Sequence, residues 1–133
     1  MNRLDQIEQY KELKNTIRAK ENQVLQWKQK ALKIAGMDNE EALPSEINKV
    51  IESINHLEEE IIPLKQRLLS ERIDLIEYAH SLQDIRFFKI MMHHFLDDNA
   101  LKDVGQELSL SYDHTRKLSA KLKKIMRGSE KHE

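Results

Sequence analysis

The sequence contains no cysteine, and among its 133 residues there are only three glycines, two prolines and 5% aromatic side chains. Without cysteine there is no disulfide framework, no thiolate nucleophile and no Cys-based zinc site. With so few chain breakers, and with Leu, Ile, Lys, Glu and Gln dominant, long helices are favoured over sheets and the expected class is all-α. No apolar run is long enough to span a bilayer, and the opening MNRLDQIEQY lacks the apolar core of a signal peptide. The expected setting is therefore cytoplasmic, with no membrane partner. No Ser-His-Asp arrangement, Gly-rich phosphate loop or catalytic carboxylate pair stands at useful spacing, so neither an enzyme activity nor a cofactor is expected.

Charge is abundant but unevenly spread. Charged residues make up 34% of a chain whose net charge is -1. Residues 3–33 hold eight Lys/Arg against four Asp/Glu, a balance of +4, and residues 46–77 hold four against eight, a balance of -4. These two segments should attract each other. Between Tyr112 and Arg127, six basic residues face one acid, Asp113, for a balance of +5. A local cationic surface on a nearly neutral chain is the pattern of one face meeting a polyanion.

Read in sevens, the first segment places Tyr10, Leu13, Ile17, Val24, Trp27, Ala31 and Ile34 on one stripe, with Leu4 and Ile7 extending it and Lys20 the polar intruder. Gly36 is a candidate left-handed stop. Ser45, after Pro44, is a candidate cap for the next helix. In the second segment Ile47, Ile54, Ile61, Leu68, Leu75 and Leu82 alternate with Val50, Leu57, Leu64, Tyr78 and Ile85, with Glu71 the exception. Two long seams of opposite charge joined by a short polar stretch predict an antiparallel helical hairpin, a coiled coil over 1–81, bent but not broken at Pro63. Its remaining apolar face (Leu25, Leu32, Ile51, Ile62, Leu69, Ile76) predicts a homodimer.

After residue 81 the pattern changes. Leu82, Ile85, Phe88, Met92 and Phe95 stand at helical spacing, and Asp97-Asp98-Asn99 reads as a stop and a cap. The short segment ALKDVGQEL carries Leu101, Val104 and Leu108 on its inner face with Gly105 beside them, where a small residue lets two helices approach. Ser109-Leu110-Ser111 makes the turn, with Leu110 filling the space between helices and Ser111 capping the next one. From there Thr115, Leu118, Leu122 and Ile125 or Met126 face inward. Ser111, Tyr112, Asp113, His114, Arg116, Lys117, Lys121 and Lys124 remain for double-stranded DNA, because the first turns of such a second helix enter the major groove. Residues 82–127 form this helix-turn-helix module, and 128–133 reads as a disordered tail.

Arg116 and Lys117 are the leading candidates for base or phosphate contact. Tyr112 and His114 stand at the helix start, and Asp113 can accept from cytosine or favour the helix N-terminus. Lys121, Lys123, Lys124 and Arg127 supply general attraction to phosphates. His93 and His94 point about 100° apart on a helix, so no shared metal ion is expected.

The run from Asp103 to Ser111 resembles region 4 of sigma factors: an acidic residue, an aliphatic one, a small one, two variable positions, Leu, Gly, an apolar residue and Ser. Asp103, Val104, Gly105, Leu108, Leu110 and Ser111 match in spacing, Ser109 stands for the usual glycine and Thr115 for the usual valine. Taken whole, the chain resembles the ArpU- and RinA-like late-gene transcription regulators of phages in Gram-positive bacteria. Ser81-Leu82-Gln83-Asp84 stands where such relatives carry an apolar-x-Leu-x-Asp pattern, and His94-Phe95 where they carry Arg-Tyr. The resemblance implies a transcriptional activator of phage or mobile-element (late or packaging) genes in a bacterial host cell. Two alternatives stand beside it: a module that docks on RNA polymerase or a host factor, and a small-terminase-like DNA packaging subunit.

Overall fold

The computed structural model describes residues 2–36 and 44–128, and the regular structure in them is all helical. Five helices follow in order: α1 (Arg3–Ala35), α2 (Pro44–Ser81), α3 (Ile85–Lys89), α4 (Leu101–Glu107) and α5 (Tyr112–Arg127), with α3 running on into a π-helical stretch, Ile90–Leu96. None of the helices among the described residues is long and apolar enough to cross a membrane. The chain divides into two compact units, one of Leu13–Leu68 and one of Met1–Glu12 with Leu69–Glu133. The expected polar connection after Gly36 lies outside the described residues, as does the expected tail of 128–133 except for Gly128, which is ordered as the left-handed cap of α5.

In the Leu13–Leu68 unit, Leu13, Ile17, Val24 and Ile61 form a core closed by Ile54, Leu57, Leu64 and Leu68. Lys20 pairs with Glu60 at 2.8 Å and Glu21 with Lys65 at 3.1 Å, while Lys28, two turns further along α1, pairs with Glu58 at 3.4 Å, lower in number than either, so the two stretches run antiparallel. Lys20, the polar residue on the apolar stripe, is thus satisfied. His56 Nε2 lies 3.0 Å from the other Glu60 oxygen. The hydrogen bond and charge of Lys20 hold the Glu60 carboxyl below the usual carboxylate range.

The other unit solves its polar intruder the same way. Gln6 Nε2 donates to Glu71 at 3.0 Å and to Asp74 at 2.7 Å, and Arg3 pairs with Asp74 at 2.7 Å. Arg72 Nη1 donates to the Tyr10 hydroxyl at 2.9 Å and to Asp97 at 2.8 Å, tying α1, α2 and the end of the π-helical stretch together. The buried apolar residues of this unit include Ile7, Tyr10, Leu75, Ala79, Phe87, Met91, Leu96 and the inner face of α5.

Four local expectations differ from what forms. α1 does stop before Gly36, but Gly36 is not left-handed; the only described glycine with positive φ is Gly128, at 79°. α2 opens at Pro44, whose missing amide hydrogen costs nothing at a first helical position, so Ser45 lies inside the first turn and is not the cap. α4 is preceded by Ala100 with no side-chain cap, while Asp98 turns the chain at φ 59°. The inward face after residue 82 is Phe87, Ile90, Met91, Phe95 and Leu96, whereas Ile85 is 62% exposed and Phe88 and Met92 are half-buried.

That last difference has a physical cause. Gln83 adopts φ 54°, ending one helix, and Asp84 starts another by accepting the Arg86 amide at 2.9 Å, so the helical phase is reset between Leu82 and Ile85. Further on, the Asp97 amide bonds the Met92 carbonyl at 3.1 Å, an i to i+5 link that widens the turn and moves the buried pair from 90/91 to 95/96.

Candidate nucleic-acid interface

α4 ends in a paired backbone lock. The Leu110 amide bonds the Gly105 carbonyl at 2.8 Å and the Ser109 amide bonds the Gln106 carbonyl at 3.1 Å, with Ser109 left-handed at φ 58°. This is a Schellman motif, which places its left-handed residue at the position where glycine is least strained. Serine is therefore a costlier choice than glycine at position 109.

Ser111 then caps α5 by accepting the His114 amide on Oγ at 3.1 Å. Thr115, fully buried, donates its hydroxyl to the Ser111 carbonyl at 2.8 Å. The same hydroxyl occupies the space where a Cβ on Gly105 would stand, and the Thr115 Cβ would lie 3.2 Å from it. Gly105 and Thr115 are therefore the contact point of α4 and α5.

Helix α5 divides cleanly. Thr115, Leu118, Ser119, Leu122, Ile125 and Met126 are buried, and the remaining positions from Tyr112 to Arg127 are exposed. At 100° per residue, Arg116, Lys117, Lys121, Lys124 and Arg127 fall with Asp113 and Ala120 inside an arc of about 140° opposite the buried face. All eight expected site residues, Ser111, Tyr112, Asp113, His114, Arg116, Lys117, Lys121 and Lys124, are exposed. Arg127 shares their arc, and its separation of eleven residues from Arg116 is the signal that places it there. Lys123 leaves the arc: its Nζ stands 5.9 Å from the centre of the Phe95 ring.

No family profile, curated protein or solved structure matches the chain.

The arc is charged but internally restrained. Asp113 Oδ1 accepts from Arg116 Nη2 at 2.8 Å, and Asp113 Oδ2 lies 3.1 Å from Lys117 Nζ. Hydrogen bonds from Lys117 and then Arg116 hold the Asp113 carboxyl below the usual carboxylate range. All three side chains are well exposed, so this cluster contributes little to stability. Its consequence is positional: the two leading candidate cations are held on the first two turns of α5, beside a hollow of about 360 Å³ lined by Tyr112, Asp113 and Arg116.

The histidines take other duties. His94 Nδ1 lies 2.8 Å from the Asn99 carbonyl, to which it can only donate, and His93 Nε2 lies 3.8 Å from Glu107. Among the described residues no group of three His, Cys, Asp or Glu side chains is placed to hold a metal.

Proposed function

We propose that α4, its turn and α5 form a helix-turn-helix that reads double-stranded DNA, with α5 in the major groove, and that the chain is a sequence-specific transcription regulator. The observation that carries this reading is the basic arc of Arg116, Lys117, Lys121, Lys124 and Arg127, fixed opposite the buried face of a capped helix. A helix of this kind presents its N-terminal turns to base edges while flanking cations meet phosphates. The likeness of Asp103 to Ser111 to sigma region 4, and of the whole to ArpU- and RinA-like regulators, supports an activator of phage or mobile-element genes. A dimer fits the apolar side chains left exposed on α1 and α2.

The salt dependence of binding to a random duplex tests the electrostatic part. If all five cations of the arc meet phosphates, log Kobs against log salt has a slope of about -4.5 per bound copy, and each single Lys→Ala on the arc makes it shallower by about 1. A slope near zero would remove the arc from any DNA contact. Loss of RNA polymerase binding by the same variants, with no DNA binding in the parent, would favour the docking alternative.

A further inference from the structure

Within the Leu13–Leu68 unit, α1 and α2 leave a groove of about 500 Å³, floored by Val24 and Ile61 and walled by Leu25 and Ile62, which are 55% and 58% exposed. The apolar surface continues along both helices. Leu32 lies seven residues after Leu25 and Ile51 eleven before Ile62, spacings that return to the same helix face within about 20°, and both are exposed. Exposed aliphatic side chains gathered in one stripe mark a surface that meets a partner.

The rim of the groove identifies the partner. Each helix contributes one acid and one base: Glu21 and Lys28 from α1, Lys65 and Glu58 from α2. Because the helices are antiparallel, Glu21 stands across from Lys65 at one end and Lys28 across from Glu58 at the other. The four signs therefore alternate around the groove like the squares of a checkerboard.

Such a pattern is complementary to itself. Two copies can meet face to face about a two-fold axis that runs either along the helices or across them. Along the helices, Glu21 meets the second copy's Lys65 and Lys28 meets its Glu58. Across the helices, Glu21 meets Lys28 and Lys65 meets Glu58. In both cases every facing pair is opposite in sign, which is the isologous complementarity a symmetric dimer requires. A rim with two acids and two bases offers no net attraction to a polyanion or a polycation, so electrostatics favours neither a nucleic acid nor a uniformly charged protein here.

We propose that this groove, rimmed by Glu21, Lys28, Glu58 and Lys65, is the surface through which two copies of the chain dimerise. The proposal deepens the dimeric reading of the protein by assigning its interface. Sedimentation and light scattering of the full chain at tens of micromolar should give twice the 15.8 kDa of one chain. Leu25→Gln with Ile62→Gln, at two half-exposed positions, should give one chain with unchanged helical circular dichroism. Glu21→Lys with Glu58→Lys makes the rim wholly basic, and Lys28→Glu with Lys65→Glu makes it wholly acidic. Each charge variant alone should be monomeric, and an equimolar mixture should recover the dimeric mass.

A dimer that persists in the Leu25/Ile62 variant would overturn this surface while leaving dimerisation elsewhere on the chain intact. A parent chain that stays monomeric would overturn both the surface and the dimeric reading. Should the charge variants fail to fold, the Leu25/Ile62 variant decides alone.

Discussion

Changing Gly105 to alanine would place a methyl group where the Thr115 hydroxyl already stands. The new Cβ would overlap Thr115 Oγ1, approach the Thr115 Cβ to 3.2 Å and touch its Cγ2 at 3.4 Å. On an isolated helix the same change would stabilise by about 1 kcal/mol, because alanine is the better helix former. Here relief requires either parting α4 from α5 or rotating Thr115, and overpacking of this kind costs about 1–3 kcal/mol. Rotation also breaks the bond from the buried Thr115 hydroxyl to the Ser111 carbonyl, a further loss of about 1 kcal/mol. The contact outweighs the propensity, leaving a net loss of about 2 kcal/mol, or roughly 8 °C in melting temperature for a chain of this size. Thermal unfolding followed by circular dichroism measures it. Thr115→Ala in the same chain removes Oγ1 and Cγ2 and leaves only the approach of the two Cβ atoms, so the double variant should be more stable than the sum of the singles by about 1 kcal/mol. A Gly105→Ala chain at least as stable as its parent would refute the contact between α4 and α5 on which the candidate site is built.

Ser109→Gly should raise stability by about 1 kcal/mol in a denaturant titration, since it relieves a left-handed non-glycine residue without disturbing the two backbone bonds of the motif. Asp84 is held below its usual pKa by the hydrogen bond from Arg86, so its contribution is fully present above the unfolded value near 4 and is lost as pH falls through the folded value. Stability measured between pH 5 and pH 2 should therefore fall more steeply for the parent than for Asp84→Asn, which should also be less stable at neutral pH; equal slopes would contradict the pairing. Asp113→Asn frees Arg116 and Lys117 from their shared carboxylate and removes one negative charge from the arc. It should bind a random duplex several-fold more tightly than the parent in a fluorescence anisotropy titration at low salt, and that advantage should shrink as salt rises.

Sequence periodicity located most of the buried stripes because a helix repeats every 3.6 residues and a core accepts only one face. Ile7, Tyr10, Leu13, Ile17, Val24, Ile34, Val50, Ile61 and Leu75 are all buried, as are Thr115, Leu118, Leu122, Ile125 and Met126 on α5. The phase after residue 82 was not legible, because it depends on a left-handed Gln83 and on a π-helical stretch that no residue type announces. The partners of Lys20 and Glu71 lie 40 and 65 residues away in sequence, beyond the reach of any local pattern. At the candidate site the split of α5 into inner and outer faces could be read from spacing alone. The clamp of Asp113 on Arg116 and Lys117 could have been suspected from their i+3 and i+4 spacing, which brings opposite charges together on a helix.

Specific reading of DNA by α5 is tested most directly by recovering fragments from a mixed phage and host genomic library with the purified full chain, beside an Arg116→Ala/Lys117→Ala variant, at two salt concentrations. The account predicts enrichment of one short region by the parent at both salts and its loss in the variant. Uniform, weak recovery of all fragments that disappears at the higher salt would contradict it, leaving the basic arc as a nonspecific surface.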